Sequence, residues 1–596
     1  MQFADLVADY ERLEATSKRL EMRAILVDLL KKVAPGELPP LVYLMQGELR
    51  PEFEGVELGV ADSLAARAVA LAAHAPEKAV TESLRRTGDL GTTAEELLPK
   101  RAARLAAEPL RVEEVYSELT RIATSSGEGS QELKIRILVE LLARATPSEA
   151  KYIVRFVLGK LRLGVREMTI VDALSFAFAA GSKEARAAVE AAYNRSSDLG
   201  LVAEKVARDG LPGVRKIGIE VGRPIRPMLA ERSPDLADVL KRMDGRAALE
   251  YKYDGLRVQA HIPASGPVKL FSRRLEQIST QFPELIEALP SSIRRRPAIV
   301  EGECVPVDPE TDELRPFQEV SRRRGRKYDL DRLQEEVPVR LFLFDVLLEG
   351  TTPTVDEPFP ARRRRLEGLV KDTERIRLAT QKVVTSVPEA ERFFDEAIAA
   401  GCEGVMAKSL AEGSTYRAGA RGFWWIKYKR EYTHALADSI DGVVVGAFYG
   451  HGRRGGRYGA LLLAVYNPSE DRFESFCKVG SGFDDATLEA LPHKLKPYEV
   501  KEKPESVVTE LAPDVWFRPA VVLEVRGAEL TLSPIHPAGK GLVRPDAGLA
   551  LRFPRFTGRW RDDKSADDAT TTAELLSLYL SQVRQISKPS GEEPSP

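Results

Sequence analysis

Between residues 211 and 233 the run LPGVRKIGIEVGRPIRPMLAERS breaks the texture of the chain, and that break limits its possible folds more than any other feature. Before it, stretches such as AADSLAARAVALAAHA and KEARAAVEAAYN repeat apolar residues every three or four positions, which predicts helices. After it, AALEYKYDG, LRVQAHI, VKLFSR, AIVEGECVPV and VRLFLFDVLL predict short strands, interleaved with helical runs such as PEAERFFDEAIAAG. At 596 residues the chain is also too long for one hydrophobic core, so a change of period at a Gly- and Pro-rich segment is read as a domain boundary. A multidomain α+β protein is expected. Residues 1–215 form an all-helical domain, and residues 216–430 a mixed α/β domain on antiparallel sheet with helices packed outside. Residues 431–585, with DGVVVGAFYG, YGALLLAVYN, DRFESFCKV, AVVLEVRGAELTLS and LALRFPRF, form a small β-barrel of the OB-fold kind. The polar, Pro-rich tail 586–596 is expected to be disordered.

Charge and cysteine usage narrow the function classes. With 88 Lys+Arg against 90 Asp+Glu the formal charge is −2, so any nucleic-acid surface must be a local patch. Cys304, Cys402 and Cys477 lie too far apart for a CxxC metal knuckle and suit a reducing compartment. The N-terminal MQFADLVADYERLEATSKRLEMR lacks the apolar stretch of a signal peptide, and no window has the length of a membrane helix; a cytoplasmic protein is expected.

Strand alternation then groups polar residues by face. In ALEYKYDG, Glu250, Lys252 and Asp254 share one side, and Asp254-Gly255 reads as a tight turn before LRVQAHI, where Arg257, Gln259 and His261 oppose apolar neighbours. A solvated hairpin face would be the ordinary outcome. GFWWIKYKR sets Lys427 and Lys429 on the face of Trp425, a pair that suits a phosphate chain. VEGECVPVD carries Glu301 and Glu303 on one face of an apolar strand, and GCEGVMAK holds Glu403 between glycines. Carboxylates in apolar strands are costly unless paired or metal-bound, and hard oxygen donors favour Mg²⁺ with phosphate. These residues ask for a polyphosphate, a divalent cation and an amine nucleophile whose proton affinity is lowered by cations or a dry site.

KYDGLR also resembles the Lys-x-Asp-Gly-x-x-Arg signature of the covalent nucleotidyltransferases. The series FSRR, EGE, FLFD, CEGVMAK, WIKYKR and RFPRF followed by RWRDDK is similar, in order and spacing over roughly 340 residues, to the motifs of ATP-dependent DNA ligases of the archaeal and eukaryotic replicative type. SGEGSQELK and YIVRFVLGKLRLGVRE look like that group's DNA-binding domain. The resemblance implies that Lys252 is adenylylated by ATP and that Glu250 reads the adenine amino group. It further implies that Arg257 and Arg273 hold ribose and phosphate, that Phe344 stacks on the base, and that Glu303 and Glu403 sit at a Mg²⁺ or Mn²⁺ ion, Glu303 also near the ribose. Arg421 and Lys427 would meet the α-phosphate; Lys429, Arg552, Arg555 and the Arg561 to Lys564 segment would orient pyrophosphate when the barrel closes. The choices between Glu301 and Glu303, and between Arg273 and Arg274, stay open at this point.

The implied reaction seals 5′-phosphate/3′-hydroxyl nicks in duplex DNA through a lysyl-AMP, in replication, repair and recombination. The partners are nicked DNA, gripped without sequence reading by Lys160, Arg162 and Arg166, and a sliding clamp, which the family often has; a monomer off the membrane is expected. GHGRRGGRYG (450–459) reads as a basic hairpin touching DNA, and RRRGRKYD (322–329) and ARRRRLEG (361–368) as solvated faces or phosphate contacts. A capping guanylyltransferase and an RNA ligase share the chemistry, but the long helical region argues against both. The missing four-cysteine cluster speaks against an NAD-dependent ligase. A nucleotide-binding scaffold without turnover would have little reason to keep a lysine beside metal-type carboxylates.

Overall fold

The computed structural model describes residues 1–98, 108–307, 314, 315, 317, 323, 337–429, 439–450, 457–527, 529–533, 535–545, 547–552 and 554–587. The chain forms two compact units, Met1–Glu77 with Ala94–Arg430, and Lys78–Thr93 with Glu431–Pro596.

Up to Arg215 the described secondary structure of the first unit is helical apart from an isolated bridge between Gln2 and Arg111. Helix Pro147–Val157 shows how local sequence sets a boundary. Pro147 occupies the first turn, the Thr146 hydroxyl accepts from the Glu149 N–H, and the Glu149 carboxylate accepts from the Thr146 N–H, a reciprocal capping box. After this helix, residues 158–166 run as a non-helical loop to helix Glu167–Phe178. In that loop Leu161 and Leu163 are buried while Lys160 and Arg162 are only partly covered and Arg166 is exposed. Alternation thus pins the loop by its leucines and turns its cations outward.

The rest of the first unit is built on two sheets. β1 (Leu229–Arg232), β2 (Ala247–Lys252), β9 (Gln381–Val384), β10 (Gly404–Ser409) and β11 (Arg421–Lys429) make one, in the order β1-β11-β10-β2-β9. β3 (Leu256–Ile262), β4 (Lys269–Ser272), β5 (Ala298–Pro306), β6 (Val339–Glu349) and β7 (Thr352–Pro353) make the other, in the order β4-β3-β5-β6-β7, with β8 (Ile376–Leu378) on β6. Pairing is antiparallel except for β1 with β11 and β6 with β8. Helix Val387–Ala399 packs on the first sheet, against β10 and β2. Helices Pro283–Ser292 and Phe359–Leu369 bury Leu285, Leu289, Leu366 and Leu369 against the apolar side of β3, β5 and β6. A second apolar cluster joins the sheets, with Ile299, Leu347 and Leu348 meeting Met228, Tyr416 and Trp425.

One expectation is corrected here. β2 and β3 belong to different sheets, so Asp254-Gly255 is no hairpin turn; the chain turns a corner from one sheet into the other. Gly255 is required by close approach, since a Cβ there would stand 2.5 Å from the Cys304 carbonyl oxygen and 2.9 Å from Glu303 Cγ.

In the second unit an eight-stranded sheet runs β15-β17-β12-β13-β14-β16 through β12 (Ile440–Tyr449), β13 (Tyr458–Asn467), β14 (Arg472–Val479), β15 (Glu499–Val500), β16 (Val507–Val508) and β17 (Val515–Phe517). One edge of β12 is shared by two partners, β17 at Gly446 and Ala447 and β18 (Val522–Arg526) along Ile440–Val443, and β18 in turn pairs β21 (Arg555–Trp560). That splitting, with bulges in β12, bends the sheet round an apolar interior that includes Val444, Leu461, Leu463, Phe476 and Leu523. AVVLEVRGAELTLS is split between β18 and β19 (Glu529–Ser533), the latter pairing β20 (Gly548–Arg552) in a separate ribbon. Helix Thr572–Ser587 follows the strands, and the tail 588–596 lies outside the described residues. Among the described residues no helix is long and apolar enough to cross a membrane.

Candidate active site

The corner after β2 positions Lys252. In register across the first sheet, Lys252 faces Gly404 and Gly404 faces Lys429; one step along, Glu250 faces Met406 and Met406 faces Lys427; then Ala248, Lys408 and Trp425 align. The period of two therefore brings Glu250, Lys252, Met406, Lys408, Trp425, Lys427 and Lys429 to one face. The Glu403 N–H donates to the Lys252 carbonyl at 2.9 Å, fixing the strand end against the nucleophile candidate.

Glu403 ties the ammonium groups together. Its Oε2 accepts from Lys252 Nζ and lies 2.8 Å from Lys429 Nζ, with all three side chains a quarter exposed or less. Burial alone would raise the Glu403 carboxyl; Lys252 and Lys429 outweigh it and hold it down to about 2. Two neighbouring acids behave oppositely. Asp254, which accepts from the Phe317 N–H at 3.1 Å, is pushed up to about 6 by burial and by the Glu403 charge. Half-buried Glu303 is pushed up to about 7 by burial, in spite of Lys252 and Arg257. Its carboxyl has no hydrogen-bond or ion-pair partner among the described residues.

Cations converge on the same place. Lys427 falls to about 8 through burial and the charges of Lys429, Arg232, Lys252 and Arg273. Exposed Arg273, just past β4, is lowered by burial of its inner part and by Arg257. Arg421 opens β11, exposed, and its charge reaches Arg273. The charge of Arg274 acts on Glu52 of the helical region, whereas Arg273 lies within reach of the charges of Arg257, Glu303 and Arg421.

The two glutamates of β5 differ in their partners. Glu301, 1% exposed, accepts from Arg257 Nη2 at 2.8 Å, from the Tyr416 hydroxyl at 2.8 Å and from Gln259 Nε2 at 3.2 Å, partners that Glu303 lacks among the described residues. Arg257 also donates through Nη1 to the Met228 carbonyl at 2.7 Å, while its buried Nε has no partner. Beneath it, His261 is driven down to about 3 by burial; neutral, it accepts from the Gly222 N–H at Nδ1 and donates from Nε2 to Gln259 Oε1, both at 2.9 Å. The linker is thereby tied to the site.

Glu250 and Phe344 are enclosed by protein groups. Glu250, 2% exposed, accepts from Gln381 Nε2 at 2.9 Å and lies 2.7 Å from Lys408 Nζ and 3.5 Å from Arg363 Nη1. Phe344, partly buried, meets Trp425 edge-on at 6.0 Å.

The sequence reading missed Lys408, Arg363, Gln381 and Tyr416. It also misread ARRRRLEG: Arg362 forms a two-pronged pair with Asp345 at 2.8 and 3.0 Å, both side chains fully buried, and Arg365 pairs with Glu357 and Glu349. A signal existed, since Phe359, Arg362, Leu366 and Leu369 follow helical spacing and put Arg362 inside the apolar stripe. In RRRGRKYD, Arg323 is buried against Glu284 at 2.5 Å, and residues 322 and 324–329 lie outside the described residues, as do residues 451–456 of the glycine-rich run. Lys160 lies 2.8 Å from Asp62, and Arg162 holds a left-handed backbone. In the second unit Asp441 engages Arg561 at 2.5 Å and Lys564 at 2.8 Å, and Arg561 also pairs with Asp563; Arg552 ends β20.

Among the described residues no three His, Cys, Asp or Glu side chains form a metal cage. Glu303 without a partner, near the Glu403 charge, instead fits an ion that keeps water and phosphate ligands, as Mg²⁺ does.

Comparison with known proteins gives the family. Family models described as DNA ligase N terminus, ATP dependent DNA ligase domain and ATP dependent DNA ligase C terminal region match residues 2–175, 227–429 and 454–564. The chain is 49% identical over 591 residues to DNA ligase 2 of Thermofilum pendens, covering 98% of each chain. It is 46% identical to the DNA ligase of Staphylothermus marinus, covering 99% of this chain and 100% of that one. A solved structure named Pmar-Lig_PreS3 shares the fold, with a TM-score of 0.54 at 19% identity over 93% of this chain and 99% of that one. With relatives this similar aligned end to end, the chain belongs to the ATP-dependent DNA ligase family.

Proposed function

We propose that Lys252 is the residue through which this ligase carries AMP. Lys252 Nζ attacks the α-phosphorus of ATP, forming an N–P bond as the Pα–O bond to pyrophosphate breaks; AMP passes to the 5′-phosphate of a nick; the 3′-hydroxyl then forms the phosphodiester bond and AMP leaves. The observation that carries this is the shared carboxylate: Glu403 holds Lys252 and Lys429 together at the corner between the sheets. In the resting site Lys252 is held as the partner of Glu403, and the attack requires its release from that carboxylate.

The other roles follow from charge and exposure. Lys427, Lys429 and Arg273 receive the phosphates, and Arg421 extends that patch. Glu250 reads the base, and Phe344 stacks on it beside Arg257, whose guanidinium lies 5.5 Å from its ring centre. Glu303 and Glu403 would hold Mg²⁺ or Mn²⁺, which when bound neutralises charge developing on the phosphates. Lys160, Arg162 and Arg166, on the loop pinned by Leu161 and Leu163, contact the DNA backbone, and Arg552, Arg561 and Lys564 act on the leaving pyrophosphate. Replication, repair and recombination are the settings for such sealing.

The test is chemical. Incubation with α-labelled ATP and Mg²⁺ leaves one acid-labile, alkali-stable adduct, and Lys252→Ala abolishes both the adduct and sealing of a 5′-phosphate nick. Sealing that persists in Lys252→Ala assigns the nucleophile elsewhere.

A further inference from the structure

Lys408 is a buried cation with no part in the scheme so far. It sits on β10 between β2 and β11, 1% exposed. Its Nζ lies 2.7 Å from Glu250 Oε2 and donates to the Phe344 carbonyl at 3.1 Å. The centres of three rings surround it, Trp425 at 4.5 Å, Phe359 at 4.7 Å and Phe344 at 4.8 Å. An ammonium with two acceptors and three rings around it is closely confined. Burying such a pair is not in itself stabilising; replacing a buried ion pair by apolar groups of like size is often neutral or better. What the lysine does uniquely is bond two base-facing residues at once, the Glu250 carboxylate and the Phe344 backbone.

We infer that Lys408 is a positioning residue for base selection, holding Glu250 as a fixed acceptor-only carboxylate beneath the purine 6-position and locking Phe344 in register with it. This rests on the reading of Glu250 as the base-reading residue. A carboxylate offers about four acceptor sites. Lys408 takes one on Oε2 and Gln381 one on Oε1, while Arg363 Nη1, at 3.5 Å from Oε1, adds charge without a hydrogen bond and is itself buried without a partner. Two cations against one carboxylate keep its remaining sites as acceptors, which accept from the 6-amino group of adenine and repel the 6-oxo group of hypoxanthine or guanine. With Lys408 removed, Glu250 loses the partner on Oε2 and can rotate away from the base, so discrimination at the 6-position collapses although the phosphate-binding lysines are untouched.

The experiment measures lysyl-nucleotide formation, as kcat/KM, on the full chain with three probes: ATP, ITP, and purine riboside triphosphate, which has neither substituent at the 6-position. The wild type is expected to prefer ATP to purine riboside triphosphate by about tenfold or more, the worth of a hydrogen bond to a charged acceptor, and to reject ITP more strongly. Lys408→Met is expected to bring all three within about threefold of one another, with the rise in KM confined to ATP. A wild type indifferent to the 6-position overturns the reading of Glu250 and with it this inference. A wild type that discriminates, with Lys408→Met slowing all probes equally, leaves Glu250 in place and overturns the role of Lys408. Should Lys408→Met not fold, Glu250→Gln/Lys408→Met is compared with Glu250→Gln. The same probe ratio in both supports action through the carboxylate, and a changed ratio overturns it.

Discussion

Glu303→Gln should make this protein more stable and less active, with the stability gain appearing only above acidic pH. The Glu303 carboxyl is half-buried on β5, opposite Arg257 in the register, and burial raises it from 4.5 to about 7. Because the folded value lies above the unfolded one, the native state binds the proton more tightly than the unfolded chain does. Stability therefore falls as pH rises from about 4.5 to about 7, and the full cost is present above that window. At about 1.4 kcal/mol per pH unit the ionised carboxylate costs about 3 kcal/mol, an upper figure for a group that water still reaches. Glutamine cannot ionise and keeps the shape. Urea unfolding of the full chain, without nucleotide or metal and followed by tryptophan fluorescence in a Trp516→Phe/Trp560→Phe background that leaves Trp424 and Trp425 of the same unit as reporters, should show a gain of roughly 1–3 kcal/mol at pH 8 that largely vanishes at pH 5. Lysyl-AMP formation with Mg²⁺ should fall in the same variant. Equal stability at pH 8, or a gain that does not depend on pH, would refute the argument that folding leaves this acid open for a cation.

Two further outcomes follow from geometry. Gly255→Ala places a Cβ 2.5 Å from the Cys304 carbonyl oxygen, and the β5 backbone cannot yield as a side chain would; a loss of about 1–3 kcal/mol is expected together with failure to form lysyl-AMP, and an unaltered melt would show that the corner tolerates separation from β5. Lys160→Ala/Arg166→Ala should lower the slope of log affinity for nicked duplex against log salt by about 2, since each phosphate contact contributes about 0.9, while adduct formation with free ATP is unaffected; a slope equal to that of the wild type removes loop 158–166 from the DNA surface.

Strand alternation was enough to put Glu250 with Lys252, Lys427 with Lys429, and Glu301 with Glu303, because the direction of a side chain in a strand is a local property. Partner choice is not local. Asp254-Gly255 carries a valid turn signal, yet it joins strands of two different sheets, and the reason for glycine is the approach of β5, about fifty residues further along the chain. Lys408 shows the same limit. Its parity with Met406 can be counted in GCEGVMAK, but that it is buried follows only once β10 is placed between β2 and β11 with Phe344, Phe359 and Trp425 around it.

The structure also separates two kinds of charged residue that look alike in sequence. Arg362 with Asp345, Lys408 with Glu250, and Glu301 with Arg257, Tyr416 and Gln259 are paired within the protein itself, so folding fixes their geometry before any ligand arrives. Glu303 has no such partner among the described residues, and Lys427 is disfavoured as a cation by its neighbours. A buried acid left open and a cation crowded by cations are both relieved by one kind of ligand, a polyphosphate that brings its own divalent metal. Arg257 belongs to the first kind. Both its Nη atoms are engaged, which leaves Arg273, exposed and within reach of its charge, as the arginine better placed to meet an incoming phosphate.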